Sequence, residues 1–241
     1  MKSRYKIMMA IAVLIAIFVV GCTNQEPNTL ELPVSWYDGG FWPFVHVAIE
    51  KGYFAEEGLN VKIVENKGSA ITSQLIGSGQ YPIGIVSGDV TMIAKSKGVP
   101  LKVVGVIDKV SHAGVTCHKD ANVKSAKDLE GKKIGVTITS NTYQQYLAFT
   151  ERENVDRSKI EEIPIGGPGQ EFFARAVDCH ALSPYVTQSI AEIKGVEVDT
   201  IVYYDKGLNV YSHTIVANED ILKDNPKLVR KVVSALLKGI T

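Results

Sequence analysis

The chain has 241 residues, with 26 basic and 26 acidic side chains, 45% hydrophobic residues and three cysteines. Balanced charge leaves no electrostatic footprint for nucleic acid, an ordinary hydrophobic share excludes a disordered chain, and three cysteines over this length exclude a disulfide-framework miniprotein. The length accommodates one large domain or two small ones, each with a core of its own.

Lys2, Arg4 and Lys6 precede an uncharged apolar run from Ile7 to Val20, followed by Gly21 and Cys22. This is the layout of a secretory signal peptide. At ~1.5 Å per residue the run spans roughly 21 Å, short of the ~30 Å hydrocarbon core of a bilayer. A permanent transmembrane helix is therefore disfavoured, with a short N-terminal anchor as the runner-up. Val19-Val20-Gly21-Cys22 resembles the lipobox of bacterial lipoproteins, which implies cleavage before Cys22 and a lipid on its sulfur. The polar stretch 22–29 suits a flexible tether. Without residues 1–21 the balance is 23 basic against 26 acidic side chains, a net −3. The expected location is extracytoplasmic, tied to the cell membrane.

From Leu30 onward strand-like runs alternate with amphipathic helices. Strands are predicted at 30–35, 59–64, 83–86 and 101–107, with helices at 43–51, 70–78 and 89–97. Gly52 is placed to stop the first helix, and Leu59, Val61 and Ile63 alternate with Asn60 and Lys62. After a break near Asp108–Ser111 the rhythm restarts. Strands follow at 114–118, 133–136, 160–163, 179–182 and 196–203, and helices at 142–153, 170–176 and 184–194. A last strand, 212–217, precedes a short helix at 219–223 and a longer one that Pro226 opens. This β-α alternation predicts mostly parallel sheets with helices on their faces.

Four segments, in order, are similar to those of one family. Lys51-Gly52-Tyr53-Phe54-Ala55-Glu56-Glu57-Gly58-Leu59-Asn60-Val61 resembles the phrase after the first helix in solute-binding proteins of ABC importers, in the group that binds aliphatic sulfonates, nitrate, taurine and thiamine-pyrimidine precursors. Leu75 to Gly84, Asp128 to Val136, and Ala217 to Asp220 with Asn225-Pro226 resemble later segments of the same group. The resemblance implies an α/β, two-lobed periplasmic-binding-protein type II fold with a ligand cleft between the lobes and two hinge crossings. The lobes would be 30–110 plus 212–241, and 111–211. Family members usually continue for several more helices, so the resemblance also implies that the chain stops short at Thr241.

In open α/β sheets, ligands bind beyond the carboxyl ends of strands, near helix N-termini. Trp36-Tyr37-Asp38-Gly39-Gly40-Phe41-Trp42 occupies such a loop and holds both tryptophans of the chain. Its aromatic rings can stack on a flat ligand and its glycines allow close backbone approach. Trp36, Tyr37, Asp38 and Trp42 are therefore candidates, against the plainer reading of lobe packing. Ser69, Ser87 and Gly88 sit between strands and helices, where capping is the default role of a serine. In the second lobe Ser140, Asn141 and Thr142 open a helix at a place where the family touches ligand, and Tyr185 follows Ser183-Pro184. Gly166 to Glu171 is glycine-rich but lacks a Walker lysine; Gln170 or Glu171 could point inward there.

No arginine lies in these loops, which argues against bidentate clamping of an anion. Cys117-His118 and Cys179-His180 look like metal pairs, yet adjacent strand residues face opposite ways, and no C-x-x-C or H-x-x-x-H spacing exists. The two cysteines are expected either free in the core or bonded within the second lobe. His46, His112 and His213 are scattered along the chain.

No catalytic constellation, cofactor or metal is expected. The expected function is the extracytoplasmic component of an ABC importer, delivering a small, flat, pyrimidine-like heteroaromatic solute to permease subunits. The aspartate-tryptophan start and the later proline-asparagine of pyrimidine binders are not matched by Ser35-Trp36 and Gly39-Gly40, which keeps a sulfonate or nitrate-type anion in play. Fungal pyrimidine synthases share the fold but carry a cysteine-rich cluster with no counterpart here. An enzyme or a sensor ectodomain remains a minor alternative.

Overall fold

A computed structural model describes residues 29–38, 40–166 and 169–241. The expected signal peptide, Cys22 and nearly all of the tether lie outside the described residues. Thr29, assigned to the tether, instead opens the first strand.

The strands form two five-stranded sheets. The first contains β1 (Thr29–Val34), β2 (Asn60–Glu65), β3 (Ile83–Ser87), β4 (Leu101–Val106) and β10 (His213–Asn218), in the order β2-β1-β3-β10-β4. The second contains β5 (Gly114–His118), β6 (Lys133–Val136), β7 (Glu161–Pro164), β8 (Cys179–Leu182) and β9 (Val198–Val202), in the order β7-β6-β8-β5-β9. The chain crosses between the sheets twice, after β4 and after β9.

Both sheets are mixed rather than mostly parallel. β1 runs parallel to β2 and β3, but β10 is antiparallel to β3 and β4. Likewise β6 is parallel to β7 and β8, whereas β5 is antiparallel to β8 and β9. The cause is the double crossing. A strand arriving from the other lobe enters at the end where its neighbours finish, so it must run against them. Local hydrophobic patterns carry no information about that direction.

Helices cover both faces of the first sheet, which is why β3 is buried along its whole length as Ile83-Gly84-Ile85-Val86-Ser87. On one face Leu32, Val34, Ile83, Ile85 and Ile215 pack against α1 (Pro43–Glu50) and α9 (Pro226–Ile240). On the other, Val86, Leu101 and Val216 meet Ile76 of α3 (Ser69–Gly77) and Ala94 of α4 (Gly88–Ser96). In α9 the buried residues Val229, Val232, Ala235 and Leu236 recur at helical spacing. The Asn225 side chain accepts from Leu228 N at 3.2 Å, capping the helix that Pro226 begins. Gly239 lets α9 pass close to α1, since a Cβ there would lie 2.2 Å from Phe44 O. Gly52, just past the end of α1, has φ +76° and stops it as expected.

The second lobe buries Val115, Leu129, Ile134, Val136, Tyr146, Phe149 and Tyr203 around α5 (Asn141–Arg152). Cys117 and Cys179 are register partners on β5 and β8 and are joined by a disulfide. This decides between the two readings left open by the sequence. His118 faces away from that core and stacks on Phe172 of α6 (Gln170–Phe173) at 4.0 Å. The helix expected over 170–176 is only this single turn. The one-turn helix α2 (Tyr53–Glu56) was not anticipated, being too short to show a period.

Candidate ligand cleft

Between the lobes, at the carboxyl ends of β1, β6 and β8, lies a cavity of about 160 Å³. The loop from β1 to α1 contributes Ser35, Trp36, Phe41 and Trp42. The N-terminus of α5 contributes Ser140, Asn141 and Thr142. Leu182, Ser183 and Tyr185 come from the end of β8 and the start of α7 (Pro184–Lys194), and the remainder from the two crossings: Asp108, Ser111, His112, Ala113, Ser212 and His213. No lysine or arginine is among these residues.

Trp36, Trp42, Ser140, Asn141, Thr142 and Tyr185 are thus brought together as expected from the sequence. Their freedom to bind differs. The Ser140 hydroxyl donates to Thr137 O at 2.7 Å, accepts from Tyr143 N at 3.1 Å and pairs with Thr142 Oγ1 at 2.8 Å. One donor and two acceptor sites are all a hydroxyl has, so Ser140 serves as a cap and shapes the wall. The Asn141 amide makes no hydrogen bond to protein among the described residues, and Tyr185 is 59% exposed with its ring 5.2 Å from that of His112.

Five other candidates lie elsewhere. Tyr37 lines a wider adjoining groove with Glu65, Lys67, Ile138, Thr139 and Gly166, and Trp36 borders both spaces. Asp38 is turned away from the cavity, its carboxylate oxygens 2.7 and 2.8 Å from His46 Nε2. Ser69 Oγ accepts from Ser87 N at 3.4 Å, the Ser87 hydroxyl is bonded to Asp89, and Gly88 N donates to Ser212 O at 2.8 Å. None of the three lines the cavity, and neither serine makes the side-chain cap bond that was its default reading. Gln170 and Glu171 do not line the cavity, and Gly39, Gly167 and Pro168 fall outside the described residues.

The sequence passed over the crossings. His112 and His213, scattered along the chain, meet in one cavity, and His213 Nδ1 lies 2.5 Å from Asp108 Oδ2. Burial raises the Asp108 pKa, but hydrogen bonding from His213 outweighs it and leaves the carboxyl below its usual range. The available signal was the break at Asp108–Ser111: a hinge in a two-lobed fold necessarily borders the cleft.

The lobes also touch directly. Thr139 Oγ1 donates to Lys67 O at 2.6 Å. Gln145 of α5 donates to Asp89 Oδ2 at 2.8 Å and accepts from Ser111 Oγ at 2.6 Å, tying α4, α5 and the first crossing together. Burial holds the Asp89 carboxyl above its usual pKa, partly offset by the hydrogen bonds from Ser87 and Gln145. Gly68, at φ +119°, is indispensable to this contact, because a Cβ would lie 2.2 Å from Thr139 O. We predict that Gly68→Ala disfavours this lobe contact by about 1–3 kcal/mol, because the new Cβ overlaps Thr139 O of the other lobe. Solution scattering should show a larger radius of gyration than for the wild type; an unchanged profile would refute this role.

Two α/β lobes joined by two crossings, with a small aromatic and polar cavity between them, define the type II periplasmic-binding fold. The solved structure of the alkanesulfonate-binding protein SsuA from Xanthomonas axonopodis pv. citri bound to MOPS shares it, with TM-score 0.71 and 14% identity over 89% of this chain and 73% of that one. The family described as NMT1/THI5 like matches residues 43–241, and the chain belongs to it. Among curated relatives, the formylaminopyrimidine-binding protein of Halalkalibacterium halodurans is 25% identical over 99% of this chain and 74% of its own length. The 4-amino-5-hydroxymethyl-2-methylpyrimidine phosphate synthase of Uromyces fabae is 26% identical over 89% of this chain and 67% of its own. The curated relatives thus include both a binding protein and a synthase.

Proposed function

We propose that this protein is the solute-binding component of an ABC importer, working outside the cytoplasm and capturing a flat heteroaromatic solute of single-ring, pyrimidine-like size. The observation that carries the reading is the cavity: about 160 Å³, walled by Trp36, Trp42 and Tyr185, with hydroxyls and an amide but no lysine or arginine. A cavity of ~150 Å³ accommodates a benzene-sized ring, and uncharged stacking walls suit a flat solute better than a sulfonate or nitrate. The formylaminopyrimidine-binding relative from Halalkalibacterium halodurans is in keeping with this.

The synthase relatives raise an enzymatic reading. Against it, no serine, threonine or cysteine is hydrogen-bonded to a histidine among the described residues, so the usual activated nucleophile has no counterpart. The lobes in this reading are residues 30–110 with 212–241, and 111–211, and solute capture is hinge closure between them. Cleavage before Cys22 and lipidation of its sulfur would hold the protein at the membrane beside the permease. The Cys117–Cys179 disulfide suits an oxidising, extracytoplasmic setting.

Native mass spectrometry of gently purified protein tests the proposal. We expect one small heteroaromatic molecule per chain, recovered unaltered, and a polypeptide mass beginning at a lipid-modified Cys22. Conversion of the recovered compound would overturn the binding reading, and a chain retaining residues 1–21 would overturn the anchor. Trp36→Ala should weaken binding of that compound by roughly two- to tenfold, the value of one lost aromatic stack; tryptophan fluorescence titration reads it.

A further inference from the structure

Asp108 and His213 lie on different crossings, and the crossings are bonded to one another. Ile107 N and Asp108 N donate to His213 O at 2.9 and 3.2 Å, and Ser212 N donates to Asp108 O at 3.1 Å. The Asp108–His213 side-chain pair sits on this ladder and lines the cavity, with the Trp42 ring 4.9 Å from the imidazole and edge-on. Asp108 is a fixed acceptor, so the hydrogen of the neutral imidazole resides on Nδ1. In that form Nε2 is an acceptor, and it makes no hydrogen bond to protein among the described residues. The cavity therefore offers a carboxylate and an oriented imidazole nitrogen, with no lysine or arginine.

We infer that His213 Nε2, set in its tautomer by Asp108, is the group that selects for a solute bearing a hydrogen-bond donor, an amino group or ring N–H, on its aromatic ring. This rests on the proposed reading of the cavity as a heteroaromatic site. Its consequence is that the solute bonds to the hinge as well as to the two lobes, so recognition of the donor and lobe closure share one residue. A site built to pair a polar hydrogen discriminates against an isostere lacking it, because the acceptor is then left buried and unpaired.

The two functions of the pair, clipping the crossings and reading the solute, separate by substitution. In His213→Asn the side-chain amide N–H can replace Nδ1–H toward Asp108 but nothing replaces Nε2. In His213→Gln the amide reaches the Nε2 position and the clip to Asp108 is lost. The probes are 4-aminopyrimidine and 4-methylpyrimidine, similar in size and differing in the donor, measured by calorimetry on protein freed of endogenous ligand. The wild type should prefer the amino compound by roughly tenfold. His213→Asn should lose that preference while keeping its affinity for the methyl compound, and His213→Gln should retain a preference of at least about threefold. Equal wild-type affinity for the two probes, or an undiminished preference in His213→Asn, would overturn the inference and leave the heteroaromatic reading standing. Failure of the wild type to bind either probe would overturn both.

Discussion

Removing the disulfide, by Cys117→Ala with Cys179→Ala or by reduction, should lower the unfolding free energy by about 4 kcal/mol. The bridge closes a loop of 62 residues. On the chain-entropy model, releasing a loop of that length returns about 14 cal/mol/K to the unfolded chain, or roughly 4 kcal/mol at 25 °C. The cysteines are 1% and 0% exposed within the second lobe's core, so the alanine variant also loses packing around both positions. Urea denaturation of the oxidised wild type, the reduced wild type and the double variant measures the effect. A difference below about 1 kcal/mol between oxidised and reduced wild type would contradict it.

His180 should make the second lobe acid-sensitive through a single residue. It is 0% exposed, neither ring nitrogen has a partner among the described residues, and burial pushes its pKa down to about 4. Because the folded-state value lies below the ordinary value of 6.5, the unfolded chain binds the proton first as the pH falls. The contribution to stability is complete above pH 6.5 and disappears progressively as the pH falls through about 4. At 1.36 kcal/mol per unit, the full loss approaches roughly 3 kcal/mol. His180→Leu, similar in bulk and unable to titrate, should be spared this loss. Urea denaturation midpoints for both proteins at pH 7.5, 6, 5 and 4 isolate the effect, since carboxylates common to both cancel in the difference. Parallel pH dependences would rule it out.

Much of the fold was legible because its signals are local. The strands Gly114–His118, Lys133–Val136 and Cys179–Leu182 and the helix Pro184–Lys194 have the bounds their patterns predict. Gly52, Asn225 and Pro226 punctuate as their chemistry requires. Six of the sixteen residues that line the cavity were legible for the same reason: Trp36, Trp42, Ser140, Asn141, Thr142 and Tyr185 flank the starts of helices after strands. Ser69, Ser87 and Gly88 carry the same local signal but are occupied by hydrogen bonds to other segments. The loop position identified them; only their partners decided what they do.

The sequence alone determined the order and type of the longer elements, the family resemblance, the poverty of the loops in cationic side chains, and the alternation of faces along each strand. Tertiary structure decided what depends on pairs distant in the chain: the reversed direction of β5 and β10, the bond between Cys117 and Cys179, and the union of Asp108 with His213. Periodicity reports which side of an element faces inward but is silent on which element it faces. A hinge built from two segments about a hundred residues apart acquires its chemistry only when the second crossing returns to lie beside the first.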